Sequence, residues 1–316
     1  MSKPLALLIN PPVYDFALFD LFHKPLGLMR IGKWLENSGF DIKIADALDY
    51  HDSASTRALG EPSRRKNGTG KFFRQITDLP DGIVPFERKY ARYGIVEESF
   101  RERLSGLVPD VILITSGMTY WYPGVAEAAK TAKTLFPDTP IVIGGIYATL
   151  LQTHCRHNID ADHVVAGDAG VELGSLLGSM GLPVPVGKPD GRVLLDADIW
   201  RGAGVIRLNN GCPLSCDYCA SRILCPSFTA GEPDEVFEII SAMASEAGVR
   251  SFAFYDDALL YRKEMLLIPL LERIIASALS IDLYTPNAIH IRYLDTETAL
   301  LMQKAGFREV RMGFES

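Results

Sequence analysis

Short apolar runs alternate with stretches of helical spacing along most of this chain, and that alternation narrows the fold more than composition does. Pro4 to Ile9 reads as a strand closed by Asn10, Pro11 and Pro12, and Leu26 to Leu35 as a helix ended by Asn37-Ser38-Gly39. Asp41 to Ala45, Val111 to Thr115, Ile141 to Ile143 and Val164-Val165 are further strands, with helices over Pro123 to Leu135 and from near Gly170. Buried strands joined by amphipathic helices predict an α/β fold. The expected form over residues 1–180 is a doubly wound parallel sheet of flavodoxin or Rossmann type, its ligand crevice at the carboxyl ends of the strands.

Residues 181–203, with Pro183, Pro185, Pro189 and several glycines, read as a linker. The alternation then restarts over 204–316. Strands are expected at Val205 to Leu208, Phe252 to Tyr255, Asp282 to Thr285 and Val310 to Phe314, with helices over Asp234 to Ala247, Lys263 to Ala278 and Asp295 to Ala305.

One stretch breaks the first half. Residues 50–108 far exceed the ~2 to 6 residues usual between such elements, so they form an insertion or subdomain. Between Arg57 and Arg92 there are nine Lys or Arg against four acids. A solvated surface and an anion or RNA site are both compatible with that count. Phe72, Phe73, Phe86, Tyr90 and Tyr93 would serve either as a small packed core or as a stacking platform.

The net charge of -7 over 316 residues gives no electrostatic reason to expect nucleic acid as a partner. No apolar run approaches the ~18 to 20 residues of a membrane span, and Met1 to Leu8 is too brief for a secretory signal, so a cytoplasmic protein with no membrane partner is expected. Five cysteines, three of them close together, suit metal binding in a reduced compartment better than a disulfide framework.

The three are Cys212, Cys216 and Cys219, in Gly211-Cys212-Pro213-Leu214-Ser215-Cys216-Asp217-Tyr218-Cys219. This Cys-x3-Cys-x2-Cys loop follows the first strand of the second half. Its spacing lets one loop wrap three thiolates around an iron–sulfur cube, leaving one iron open. The competing reading is zinc, with Cys225 or a histidine as fourth ligand, although zinc sites usually pair two distant ligand arms. Cys155 reads as a small buried hydrophobe.

The loop resembles that of the radical S-adenosylmethionine superfamily, which carries this spacing after the first barrel strand and an aromatic residue, here Tyr218, before the third cysteine. The resemblance implies a 4Fe-4S cluster on the three cysteines and S-adenosyl-L-methionine on the open iron, cleaved on reduction to a 5'-deoxyadenosyl radical. It also implies a partial (β/α) barrel of TIM type, with cofactor contacts at the strand ends. The candidates there are Tyr218, Asp256, Asp257 and Glu315, with Asn287, His290 and Ser316 nearby. Asp256-Asp257 would serve equally as a helix cap. Only four strands are counted where the superfamily usually has six, so the second domain is expected to be incomplete and the polypeptide poorly stable or inactive. An external one-electron reductant of flavodoxin or ferredoxin type and a small-molecule or peptide substrate complete the implied set.

The first half resembles the cobalamin-binding domain that precedes the radical domain in one subgroup. Ser116-Gly117-Met118 precedes Gly144-Gly145 as a Ser-x-Leu element precedes a Gly-Gly pair in cobalamin enzymes. The implied cobalamin contacts are Asn10, Pro11, Ser116, Gly117, Gly144, Gly145 and Tyr147. The family's Asp-x-His-x-x-Gly is absent, because Asn10-Pro11-Pro12-Val13-Tyr14-Asp15 stands there. Cobalt without a histidine ligand is therefore implied, its lower face open or near Tyr120 or Tyr147; retention of the fold without cofactor is the alternative. Three functions stay open: cobalamin-dependent methyl transfer to an unactivated carbon, radical chemistry without methyl transfer, and a non-catalytic iron–sulfur or corrinoid sensor.

Overall fold

The computed structural model describes residues 3–84 and 87–313, and the chain divides into two compact units. The first takes in the chain up to Asp20, then Gly27–Arg64 and Gly70–Asp190; the second takes in Leu21–Leu26, Arg65–Thr69 and the chain from Gly191 onward.

In chain order the first half runs β1 (Leu5–Asn10), β2 (Val13–Asp15), α1 (Leu26–Asn37), β3 (Asp41–Asp46), α2 (Ser53–Leu59), β4 (Arg74–Ile76) and β5 (Ala91–Tyr93). It continues with α3 (Glu97–Leu104), β6 (Val111–Ser116), α4 (Tyr122–Leu135), β7 (Ile141–Gly145), α5 (Ile146–Leu150), α6 (Gln152–Asn158), β8 (His163–Val164) and α7 (Ala169–Ser179). The main sheet is parallel, with order β3-β1-β6-β7-β8. Numbered by its own strands this is 2-1-3-4-5, the flavodoxin-like order, whose direction reverses between β1 and β6.

Side chains alternate across these strands. Leu7, Ile9, Ile112, Ile114, Ile141 and Ile143 join one buried cluster with Phe100 and Leu104 of α3 and Val125, Ala128 and Ala132 of α4. Ala6, Leu8, Leu113 and Val142 on the opposite face are also buried, so both faces are covered, as a parallel sheet requires.

Apart from Arg65–Thr69, the described residues of the insertion belong to this unit. Its β4 and β5 pair antiparallel, and β5 pairs with β2, giving a three-stranded sheet. Phe72 and Tyr93 pack with Val13, Leu48 and Tyr50 in a small core, and Phe73 joins the main one. Of the two readings of these aromatics, burial favours the packed core; Phe86 lies outside the described residues. Two of the basic residues are also engaged: Arg64 pairs with Asp20 and stacks 3.4 Å over Tyr50, and Arg92 is held by Glu127.

The expected linker 181–203 is packed at both ends. Trp34 Nε1 donates to the Val186 carbonyl and Arg30 Nε to that of Asp190. Beyond Gly191, the buried Trp200 of α8 (Ala197–Trp200) donates to the Leu194 carbonyl. Proline and glycine mark irregular chain here, and irregular chain can still be buried.

The second half continues with β9 (Gly204–Ile206), β10 (Asn209–Asn210), α9 (Ser221–Leu224), β11 (Thr229–Ala230), α10 (Pro233–Glu246) and β12 (Ser251–Phe254). Then come α11 (Leu267–Ser277), β13 (Asp282–His290), α12 (Thr296–Ala305) and β14 (Phe307–Gly313). Its sheet is parallel, with order β14-β13-β12-β9, so consecutive βα units lie side by side as in a partial barrel. β13 runs beyond the expected Thr285. Its register with β14 shifts between Thr285 and Ile289, an irregularity that accommodates Pro286, which has no N–H for the ladder. No helix among the described residues is long and apolar enough to cross a membrane.

Candidate functional site

The cysteine loop grows from the carboxyl end of β9. After Arg207 and Leu208 the chain enters β10, which pairs antiparallel with β11 through Asn209↔Ala230 and Asn210↔Thr229. Residues 211–228 are thereby closed into one excursion at the sheet's carboxyl edge. Gly211 starts it with φ +79, and a Cβ there would lie 2.8 Å from the Ser227 carbonyl and 3.2 Å from Cys225 Cβ. Only glycine turns the chain at that point without strain.

Within the loop Cys212 and Cys216 are half-buried and Cys219 is exposed. Cys219 N–H donates to the Cys216 carbonyl at 3.1 Å, and Ser221 N–H donates to Cys219 Sγ at 3.4 Å. Burial pushes the Cys212 thiol up, with smaller contributions in the same direction from Asp257, Cys219 and Cys216. Cys225 donates to Asn210 Oδ1. Tyr218 is 72% exposed, its ring open to whatever the loop binds.

Among the described residues no three His, Cys, Asp or Glu are placed to hold a single metal ion. A tetrahedral zinc site asks for four donors converging on one ion. A cube held at three corners asks for something else: each thiolate takes a different iron, so the sulfurs stand farther apart than ligands converging on one ion. Three soft donors on one loop fit that chemistry. Beneath them, Asn209 is 2% exposed and neither polar atom of its amide has a partner, nor has Nε of Arg207. Orphaned polar groups at this depth fit a site completed by a polar ligand.

Asp256 lies two residues past the end of β12, is 3% exposed, and accepts Leu208 N–H at 3.0 Å and Asn209 N–H at 2.6 Å. Burial raises its pKa to about 7, against the lowering effect of those two bonds and of Arg207. It is not a helix cap, since α11 begins only at Leu267. Asp257 is half-buried beside it. Asn287 is exposed and donates to the Tyr255 carbonyl at 3.2 Å, and His290 closes β13 with its ring edge-on to Tyr293. Glu315 and Ser316 lie outside the described residues.

In the first unit β1 pairs with β6, Ile9 opposite Ile114, so Asn10-Pro11 and Ser116-Gly117 follow at the same carboxyl edge of the sheet. Asn10 is buried and donates to Asp46 Oδ1 at 2.7 Å. Ser116 Oγ donates to the Gly144 carbonyl at 2.6 Å and accepts Ala148 N–H at 3.2 Å, coupling β6 to the start of α5. Gly145 stands at φ +100, and a Cβ there would lie 2.4 Å from the Ser116 carbonyl. A Cβ on Gly117 would meet the Trp121 ring at 2.8 Å. Met118 and Tyr120 stand 45% and 60% exposed just past β6. A glycine floor with apolar and aromatic side chains at its rim fits a large flat macrocycle such as a corrin.

The structure places Tyr147 elsewhere. It is fully buried, its hydroxyl 2.8 Å from His154 Nδ1 and its ring edge-on to the same imidazole. It belongs to the core rather than to a cobalt face, because α5 turns immediately after Gly145 and directs it inward. Asp15, the last residue of the segment where the cobalamin enzymes carry their histidine motif, accepts Trp121 Nε1 at 2.7 Å.

Sequence reasoning missed Asn209 and Arg207 altogether. Their only signal was a pair of asparagines directly ahead of Gly211-Cys212, and an amide's burial cannot be read from its neighbours in sequence.

Residues 86–177 match the B12 binding domain family, a span that holds Ser116, Gly117, Gly144, Gly145 and Tyr147 but not Asn10 or Pro11. The chain is also similar to the anaerobic magnesium-protoporphyrin IX monomethyl ester cyclase of Synechocystis sp., at 22% identity over 352 aligned positions covering 98% of this chain. The chain spans 60% of that relative's length.

Proposed function

Taking this chain as a relative of the radical S-adenosylmethionine subgroup that carries an N-terminal cobalamin-binding domain, we propose that Cys212, Cys216 and Cys219 hold a 4Fe-4S cluster and that its open iron receives S-adenosyl-L-methionine. The observation that carries this reading is the closed loop at the carboxyl end of β9, which holds the three thiols and follows directly on the orphaned amide of Asn209. When bound, the cluster supplies the electron that splits a carbon–sulfur bond of S-adenosylmethionine and so begins radical chemistry.

The protein's own groups bind and orient. Gly211 turns the loop away from the sheet, Asp257 faces the thiols with negative charge, and Asn209 offers both a donor and an acceptor to a polar ligand. Tyr218 lies open beside Cys219, where an aromatic face can cover a bound nucleoside. An external flavodoxin or ferredoxin type protein in the cytosol supplies the electron, and the substrate is a small molecule or peptide.

In the first unit Ser116-Gly117 and Gly144-Gly145 would hold cobalamin, which would supply the methyl group for transfer to an unactivated carbon. The similar protein is named a cyclase, which favours a second reading: ring closure or another radical outcome without methyl transfer. The two separate on anaerobic purification, reconstitution with iron and sulfide, and addition of hydroxocobalamin. Methyl transfer requires retained corrinoid and release of S-adenosylhomocysteine. A chain that retains no corrinoid and forms only 5'-deoxyadenosine supports the second reading.

A further inference from the structure

The cysteine loop has to present three thiolates as a set, and the bonds near its cysteines include local ones: a turn bond from Cys219 to Cys216, contacts to Ser221 and the turns of α9. Its base ties it to the sheet. On one side β10 pairs with β11, and Gly231 lies so close to the Leu208 carbonyl that a Cβ would stand 2.1 Å from it. On the other side a carboxylate from a different βα unit reaches across to the same two residues. Asp256 Oδ2 takes Leu208 N–H and Oδ1 takes Asn209 N–H, spanning 48 and 47 residues of sequence.

Leu208 lies between β9 and β10 and Asn209 opens β10, and a carboxyl oxygen of Asp256 accepts the N–H of each. Without Asp256 both would lose this buried acceptor, at a cost that would loosen the chain just ahead of Gly211. Each oxygen of Asp256 already accepts a backbone N–H, so its carboxyl group serves the chain at the root of the loop.

We propose that Asp256 is a positioning residue, its buried carboxyl group clamping Leu208 and Asn209 so that the loop from Gly211 holds Cys212, Cys216 and Cys219 in register as one ligand set. The purpose of the clamp rests on the cluster reading above; its existence does not. Asp256 is thereby given a positioning role in place of the cofactor contact implied by resemblance, and Tyr218, Asp257 and Glu315 keep theirs.

The test uses the full chain, first without metal, by hydrogen exchange resolved at single amides. Asp256→Asn is expected to speed exchange at Leu208 and Asn209 by roughly tenfold, the effect of losing a charge-assisted bond, while Phe252 and Leu283 keep their protection. Asp256→Glu, which keeps the carboxylate, is expected to restore part of that protection and carries the comparison if the asparagine variant does not fold. The second readout is iron and acid-labile sulfide per chain after anaerobic reconstitution. Asp256→Asn is expected to retain less than half of the wild-type content and Glu238→Gln, on the exposed face of α10, all of it. Wild-type exchange and iron in a folded Asp256→Asn would overturn the proposal, as would full iron with selective loss of S-adenosylmethionine binding, the signature of direct contact. If the wild-type chain takes up no iron, the cluster reading and the proposed purpose both fall, and the exchange data still decide whether the clamp exists.

Discussion

Asp256 Oδ1 accepts the backbone N–H of Asn209 at 2.6 Å, joining the end of one strand to the root of the cysteine loop on its neighbour. The bond places a titratable group where its protonation and the order of the loop are linked. Its pKa is raised from 3.8 to about 7, with burial the largest cause and Asp257 adding to it. Between these values the folded chain keeps a proton that the unfolded chain has released. The contribution of Asp256 to stability therefore declines as pH rises from about 4 to about 7 and is level above that. Urea midpoints of the metal-free chain across this range, minus those of Asp256→Asn, are expected to show the decline; a flat difference would count against it.

Asn209→Leu separates the needs of the fold from those of the ligand. The amide is buried and unpartnered, so replacing it with an apolar group of similar shape is expected to leave stability unchanged or to raise it by about 1 kcal/mol. Binding of S-adenosylmethionine to the reconstituted protein is expected to weaken at least tenfold. Thermal melts and equilibrium binding check the two halves independently.

At the other crevice, Gly145→Ala puts a Cβ 2.4 Å from the Ser116 carbonyl at a backbone angle that alanine adopts only with strain. A loss of about 2 kcal/mol or more is expected, measured by urea unfolding, with reduced retention of hydroxocobalamin.

Tyr147→Phe removes the hydroxyl that meets His154 and nothing that faces the crevice. About 1 kcal/mol of stability is expected to go, while the visible spectrum of bound hydroxocobalamin stays the same. A shifted spectrum would return Tyr147 to the cobalt's surroundings.

Much of the architecture is legible because its signals are local. Leu7 and Ile9 alternate with Ala6 and Leu8 in a strand buried on both faces, and α1, α4, α10 and α12 carry apolar positions at helical spacing with stops at glycine, proline or a capping aspartate. The small sheet of β2, β4 and β5 was not legible, since three-residue strands such as Arg74–Ile76 carry no period and pair only through distant partners. Leu21–Leu26 belongs to the second unit for a similar reason. The Phe22 ring lies 4.7 Å from Tyr284, and its carbonyl accepts the Tyr255 hydroxyl, contacts that no window of sequence contains. The cysteines announced themselves by spacing, whereas Asp256 showed only a carboxylate at a strand end. What it bonds to depends on which strand lies alongside, and that is a property of the assembled sheet.

The central claim is that Cys212, Cys216 and Cys219 share one cluster with an open iron. The most direct measurement is electron paramagnetic resonance of the anaerobically reconstituted, reduced chain, with iron and sulfide counted in the same sample. About four irons and four sulfides per chain are expected, with a reduced-cluster signal that changes on adding S-adenosylmethionine and disappears in Cys216→Ala. Tightly held zinc instead of iron, or a signal indifferent to both S-adenosylmethionine and Cys216, would contradict it.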